Sequence, residues 1–341
     1  MTTVEHMQRN GAAPGPTVEG APSEAKAEVW AAKVAVIAHR RKTLGGGLTE
    51  LRKTLGAAGI TDPAWFEVPK SKKAPKLARQ AVEDGAELIL IWGGDGMVQR
   101  CIDAIAGTET AGAGVTIGII PAGTANLLAK NLGIPHHLGD ALRIALGGRS
   151  VRLDLGVVNG EHFAVMAGAG LDARMIEDAD RGAKSRLGSL AYVRSGATAL
   201  RAAADSVHVL VDGATFFEGT ASCVLVGNVP RATGGLLVFN DARPDDGLLD
   251  VGVVTAEGAV QWLQVLARVA THHAPSSRFV RAIQGRTVDV SFDKKVAYEL
   301  DGGRGARKLP RSRERTVRVR CRERGPRAGL DPRLLGRLLL G

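Results

Sequence analysis

The sequence is poor in aromatic residues: Phe, Trp and Tyr make up 4% of 341 residues, against 44 glycines. A core without aromatic bulk must be filled by Val, Leu, Ile and Ala, and so many glycines imply numerous tight turns. Cysteine is also scarce. Cys101, Cys223 and Cys321 are odd in number and far apart, which argues against a disulfide framework or a zinc cluster and for a reducing compartment. No apolar run approaches the ~18 to 20 residues of a membrane-spanning helix, and Met1 to Trp30 lacks the basic start and apolar stretch of a secretion signal. The expectation is a cytoplasmic protein, with peripheral contact at the inner membrane surface left open. A Gly-x-x-x-x-Gly-Lys-Ser/Thr loop is missing too, which excludes a Walker-type ATPase.

Hydrophobic residues make up 45% of the chain, enough for a globular core, and the length suits two domains. The net charge of +10 is concentrated near one end. Residues 304–341 hold 13 Arg or Lys against Glu314, Glu323 and Asp331, which accounts for all of it. Such a terminus suits anionic lipid headgroups or nucleic-acid phosphates, and equally a solvated basic surface. It lacks the interleaved aromatics of single-strand binding, so nucleic acid ranks last as a partner. Leu334, Leu335, Leu338, Leu339 and Leu340 with Arg333 and Arg337 suit a short interfacial helix or one that packs back on the first domain.

Residues 1–29 have the composition of a disordered tail. From Lys33 onward strands and helices alternate. Strands are expected at Val34 to Ala38, Trp65 to Val68, Leu88 to Trp92 and Val115 to Ile120. Helices are expected through Leu48, Leu51 and Leu55, through Leu77, Ala81 and Val82, through Val98, Ile102 and Ile105, and over Leu127 to Asn131. This alternation predicts an α/β N-terminal domain with a parallel sheet over 30–148. After Gly147-Gly148 strands dominate: Val151 to Val158, Phe163 to Met166, Val207 to Val211, Ala221 to Val226, Leu249 to Val254 and Val288 to Phe292. Helices are expected only near Arg186 to Ala204 and Val260 to Ala270. A β-rich, largely antiparallel C-terminal domain is therefore expected over 149–322, followed by a basic segment, 323–341.

Two turns carry the chemistry. Gly93-Gly94-Asp95-Gly96 follows a buried strand and opens a helix, where glycines let backbone N–H groups approach phosphates and the helix start adds positive potential. Asp95 stands where it could hold a metal ion or take a proton from an attacking hydroxyl. Pro121-Ala122-Gly123-Thr124-Ala125-Asn126 again joins strand to helix, with a hydroxyl and an amide suited to phosphate or ribose. Each turn alone also fits a plain structural role, the second as an N-cap. Other signals are weaker. Gly168-x-Gly170-x-x-Ala173 lacks the acid about 20 residues on that a dinucleotide fold uses for ribose. The pairs His136-His137 and His272-His273 have neighbouring side chains that point apart, unlike a two-ligand metal site.

The glycine-Asp-glycine turn, the Pro-x-Gly-Thr-Ala-Asn turn and the two-part layout resemble the catalytic domain shared by diacylglycerol, sphingosine and bacterial lipid kinases, with NAD kinases as distant relatives. Further matching stations are Arg152-Leu153-Asp154-Leu155-Gly156, Gly168 to Asp172, Gly227-Asn228, Pro244-Asp245-Asp246-Gly247-Leu248-Leu249-Asp250 and Asp301-Gly302. The resemblance implies an ATP-dependent kinase acting on a lipid hydroxyl, with Mg2+ as cofactor and the oligomeric state, monomer or homodimer, open. It implies nucleotide contacts from Gly93, Gly94, Asp95, Gly96, Gly123, Thr124 and Asn126, and a catalytic place for Asp95 and Asp301. It also implies a structural magnesium held by Asp246 with the backbone carbonyls of Arg243 and Leu248; as bare residues, Asp245-Asp246-Gly247 equally make a plain turn. The chain departs from the family in three places. Met97 stands where a Thr is usual, and Gly303 where bacterial members carry an acid. The basic run His39-Arg40-Arg41-Lys42-Thr43 replaces an Asn-Pro turn; its Arg41, Lys42 and Thr43 suit phosphate, and basic residues beside a turn equally suit plain solvation. NAD as acceptor and a catalytically degenerate nucleotide-binding regulator are the alternative expectations.

Overall fold

A computed structural model describes residues 33–108, 115–147, 150–170, 204–232, 237–270, 277–293, 297–301, 307–308, 316–322 and 327–329. The expected tail over 1–29, nearly all of the expected helix at Arg186 to Ala204, the leucine-rich segment from Leu334, and Gly302 and Gly303 lie outside these residues. The described residues fall within a single compact unit, Ala32–Gly341.

The first half opens with β1 (Val34–His39), α1 (Gly47–Ala57), β2 (Ala64–Val68), α2 (Ala74–Glu83), β3 (Leu88–Gly93), α3 (Asp95–Ala106), β4 (Thr116–Pro121), α4 (Leu127–Asn131) and α5 (Leu138–Leu146). All six residues of β3 are buried, as a strand covered on both faces must be. The four strands are parallel in the order β2-β1-β3-β4. Right-handed crossovers leave β1 toward β2 and return past it toward β3. This places the pair α2 and α3 on one face and α1 and α5 on the other. The expected elements omit α5, although Leu138, Ala141, Leu142 and Ala145 are buried at helical spacing.

The expected strand Val151 to Val158 is two strands in two sheets. β5 (Ser150–Arg152) joins the first sheet, while β6 (Leu155–Val158) begins the second, and the break falls at Leu153-Asp154. Asp154 is buried there, accepting a hydrogen bond from Gly247 N at 2.7 Å while its own N–H donates to Pro244 O. The break thus ties the junction to the 244–248 loop.

The second half is a sandwich of two antiparallel sheets. One holds β6, β7 (Glu161–Phe163), β9 (Asp205–Val211), β10 (Ala214–Ala221), β14 (Thr287–Phe292) and β17 (Thr316–Arg322). The other holds β8 (Met166–Ala169), β11 (Cys223–Gly227), β12 (Leu249–Val254), β13 (Val280–Gly285), β15 (Ala297–Leu300) and β16 (Arg307–Lys308). Alternating residues such as Val207, Val209 and Val211 meet Leu249, Val251 and Val253 in a shared core. A helix, α6 (Gly258–Ala270), seals one end with Trp262 and Val265 against Cys223 and Val254.

Part of the basic terminus is woven into the fold. β17 lies between β14 and β6, with Val317 and Val319 buried and Arg318 and Arg320 exposed. Arg318 is bonded to both oxygens of Asp289, at 2.6 and 3.1 Å. A further strand, β18 (Arg327–Gly329), lies in the first sheet between β4 and β5. Removing 304–341 would therefore strip a strand from each of three sheets and would not isolate a tail.

Candidate active site

In a parallel sheet of this order, ligands bind at the carboxyl ends of the strands where the connections diverge. Here that point lies between β1 and β3. The chain leaves β1 through His39 to Gly47, a turn with three successive left-handed glycines, Gly45, Gly46 and Gly47. Lys42 is half-buried in it and Thr43 exposed. The chain leaves β3 through Gly93 and Gly94, with Gly94 as the N-cap of α3. The helical bonds start with Met97 and Val98, both donating to Gly94 O, so the N–H groups of Asp95 and Gly96 lie upstream of them; that of Asp95 meets its own carboxylate, and that of Gly96 is placed as an anion site requires. Met97 is buried under the turn, with its Sδ 2.8 Å from where a side chain on Gly93 would begin. The residue that departs from the family pattern therefore serves as core packing beneath the turn.

The two sequence-predicted turns meet. β3 and β4 pair as far as Gly93 with Pro121, and the next residues bring Gly94 and Gly123 together so closely that a Cβ on Gly123 would sit 2.5 Å from Gly94 Cα. These two glycines are required by turn packing. Asn126 adopts a left-handed conformation, φ 49°, which Asn tolerates better than most residues. Its Oδ1 accepts from Gly123 N at 2.8 Å and its Nδ2 donates to Gly123 O at 3.0 Å. The Asn126 side chain, expected at the nucleotide, is thus engaged within its own turn. Thr124 is exposed beside it.

Asp95 fastens the two turns together. One carboxylate oxygen accepts from Asn126 N at 2.8 Å and the other from Leu127 N, so a residue at the start of α3 caps α4. Burial raises its carboxyl above the ordinary value, while the Leu127 and Asn126 amides and the Lys130 charge pull it down. Lys130, exposed on α4, is a cation near Asp95 that the sequence reading missed. No local motif marks it, since only the fold brings α4 beside the α3 terminus.

Asp301 comes from the other half of the chain and lines the same narrow pocket as Asp95, together with Gly93, Gln99, Asn126 and Val165. The 205 intervening positions give no local hint of this. Asp301 is 3% exposed and left-handed, φ 51°. Its carboxylate accepts from Ala164 N at 2.9 Å, Val165 N at 2.8 Å and Met166 N at 3.0 Å. Burial pushes its carboxyl up to about 6, against the pull of these amides, and the Asp95 charge adds to the rise. Because this lies above the unfolded value of about 3.9, the folded state holds the proton more tightly between the two. The group's contribution to stability is full below about pH 4 and is lost as pH rises through about 6, by up to about 3 kcal/mol. Urea unfolding across that window should show this loss in the wild type and a smaller one in Asp301→Asn.

The 241–250 loop is rich in acids. Burial raises the carboxyl of Asp246, and the neighbouring charges of Asp154 and Asp245 raise it further. Burial likewise pushes Asp250 up to about 6. A cation would relieve this crowding. One oxygen of Asp246 accepts from Leu248 N at 2.9 Å, and no group of three or more His, Cys, Asp or Glu able to hold a metal occurs among the described residues. A magnesium there would thus need most of its ligands from main-chain oxygens, the part expected of the carbonyls of Arg243 and Leu248. Behind the loop, fully buried Asn228 donates to Asp154 O and Ala164 O and receives no partner at its own Oδ1 among the described residues.

Residues 34–158 match the diacylglycerol kinase catalytic domain. Residues 165–319 match the YegS C-terminal NAD kinase beta sandwich-like domain. A Yersinia pestis protein named "Probable lipid kinase YegS-like" is 35% identical over 234 residues, covering 66% of this chain and 76% of that one. An uncharacterised Synechocystis protein is 30% identical over 254 residues, 73% of this chain, and the match spans only 57% of that longer protein. Among solved structures, "a putative diacylglycerol kinase" from Bacillus anthracis superposes with a TM-score of 0.72 at 23% identity, covering 88% of this chain and 98% of that one, which speaks for the fold. The two-domain match and the shared length with the Yersinia protein make this chain a member of the diacylglycerol kinase catalytic-domain family, alongside the YegS-like lipid kinases.

Proposed function

We propose that this protein transfers the γ-phosphoryl group of ATP to a hydroxyl of diacylglycerol or a related lipid. The observation that carries this reading is the meeting of Asp95 and Asp301 in one narrow pocket lined by Gly93 and Asn126 of the two turns. Phosphoryl transfer demands little covalent work from the protein and much positioning and charge compensation. The N–H groups at the start of α3, the basic turn after β1 with Lys42 and Thr43, and Lys130 are the groups suited to phosphate. Bound Mg2+ would neutralise phosphate charge, and a second magnesium would brace the Asp246 loop through Asp246 and the carbonyls of Arg243 and Leu248.

Asp301 is the better candidate for handling the proton of the attacking hydroxyl. Its carboxyl is pushed up to about 6, close to the working range a general base needs. Asp95 holds the turns in place and faces the same pocket, where it suits a metal-bound phosphate. YegS-like relatives are named for lipid, which favours a lipid acceptor. No helix among the described residues is long and apolar enough to cross a membrane, so the lipid would be met at a surface.

The test is incubation of the purified protein with labelled ATP, Mg2+ and either a total lipid extract or NAD. Label entering the organic phase supports the proposal. Label on NAD overturns the lipid acceptor, and ATP binding without transfer to either overturns the kinase reading.

A further inference from the structure

Asp95, Gln99 and Asp103 follow one another at four-residue spacing along α3, so they project from one face of the helix. Asp95 bonds the amides of the second turn. Gln99, 5% exposed, donates from Nε2 to His162 O at 2.8 Å. Asp103 Oδ1 accepts from His162 N at 2.8 Å and lies 2.9 Å from His162 Nδ1. His162 is itself buried in β7, and Ala164, Val165 and Met166, only two to four residues further on, are the residues whose amides hold Asp301. A closed frame therefore runs from Asp95 along α3, across Gln99 and Asp103 to His162, and through 164–166 to Asp301.

We infer that Gln99, Asp103 and His162 are positioning residues for phosphoryl transfer, fixing the separation of Asp95 and Asp301 across the pocket. The inference rests on the lipid-kinase reading for its kinetic consequence. Two carboxylates of like charge in a buried pocket repel each other and would spread unless the elements carrying them were braced. A buried glutamine, and a buried histidine held by the half-buried Asp103, carry a desolvation cost that simple helix-on-sheet packing by apolar residues would avoid. Their place in the fold gives that cost a purpose, because they bridge the half that carries the phosphate turn and the half that carries Asp301.

The frame is tested with Gln99→Leu, which keeps side-chain bulk and removes the donor, and with Asp103→Ala and Asp103→Asn. Amide hydrogen exchange at Ala164, Val165 and Met166 should accelerate on the order of tenfold or more in Gln99→Leu and Asp103→Ala, while amides of β12 stay unchanged. In the same variants kcat should fall on the order of tenfold with KM for ATP within about twofold, as misplacement without lost binding requires. Asp103→Asn keeps an oxygen for His162 N and should stay within about threefold of wild type. Unchanged exchange and kcat in both Gln99→Leu and Asp103→Ala would overturn the inference. So would a fall in kcat matched by the loss of ATP affinity and thermal midpoint that general unfolding produces. If the wild type phosphorylates no lipid, the lipid-kinase reading fails, and the exchange rates alone decide whether the frame exists.

Discussion

Replacing Asp95 by Asn is expected to lower lipid phosphorylation by about a hundredfold or more, the scale of losing a carboxylate that would hold a metal-bound phosphate. The carboxylate accepts the N–H of Asn126 on one oxygen and that of Leu127 on the other. An amide offers one oxygen, and its NH2 would face a second donor. The start of α4 would shift, with a stability cost on the order of 1 to 2 kcal/mol by analogy with a lost helix cap. Removing the charge also lowers the Asp301 carboxyl, because Asp95 is one of the groups that raise it. The acid limb of the rate profile, measured in whatever activity remains, should therefore move to lower pH. A folded Asp95→Asn protein with the wild-type rate would refute the role given to this residue.

Gly123→Ala is expected to do comparable damage by a different route. The new Cβ would lie 2.5 Å from Gly94 Cα and 2.6 Å from Asn126 Oδ1. The first of these is backbone and cannot swing aside, so the two turns must part. The cost is expected at the upper end of the roughly 1 to 3 kcal/mol typical of overpacking, with ATP affinity falling on the order of tenfold or more as the amides at the α3 start lose their alignment. Gly56→Ala is the matched control. Gly56 lies in α1 with nothing within 4 Å of the added carbon, and there alanine should add about 0.5 to 1 kcal/mol of stability by helix propensity. Thermal melts and equilibrium ATP binding of the two variants check both expectations. A Gly123→Ala protein that melts and binds like the wild type would show that the contact between the turns is not required.

Much of the first half was legible because its signals are local. Leu88 to Trp92 is a run of apolar residues closed by glycine, and the structure buries all of it in the middle of a parallel sheet. The side-by-side placement of the two turns followed from consecutive strands joined by a helix, which pair in parallel as Gly93 with Pro121. The roles within the turns were less legible. Gly94, Gly123 and Asn126 read as ligand contacts, and the structure adds that they pack against and bond each other. A sequence does not distinguish a glycine that admits a phosphate from one that admits a neighbouring turn. Met97, which stands where a Thr is usual, is a core side chain.

The second half was read as strands correctly in kind and incompletely in number and assignment. Val151 to Val158 has the composition of one continuous strand, yet Asp154 turns it from the first sheet into the second by bonding the distant Gly247. Arg318 and Arg320 counted toward a basic tail, although the alternation with Val317 and Val319 is that of a half-buried strand.

By itself the sequence determined what depends on short-range chemistry: the alternation of strand and helix, the turns that end β3 and β4, and the order of motifs that places the chain in its family. Hydrophobic period and glycine placement act within a few residues, so they can be read along the chain. The tertiary structure alone decided what depends on long-range contact. It brought Asp301 to the pocket of Asp95, set the glycines of the two turns against each other, drew β18 into the first sheet, and braced α3 against His162. Each of these joins residues separated by tens to hundreds of positions, and only the burial of a shared core fixes which of them meet.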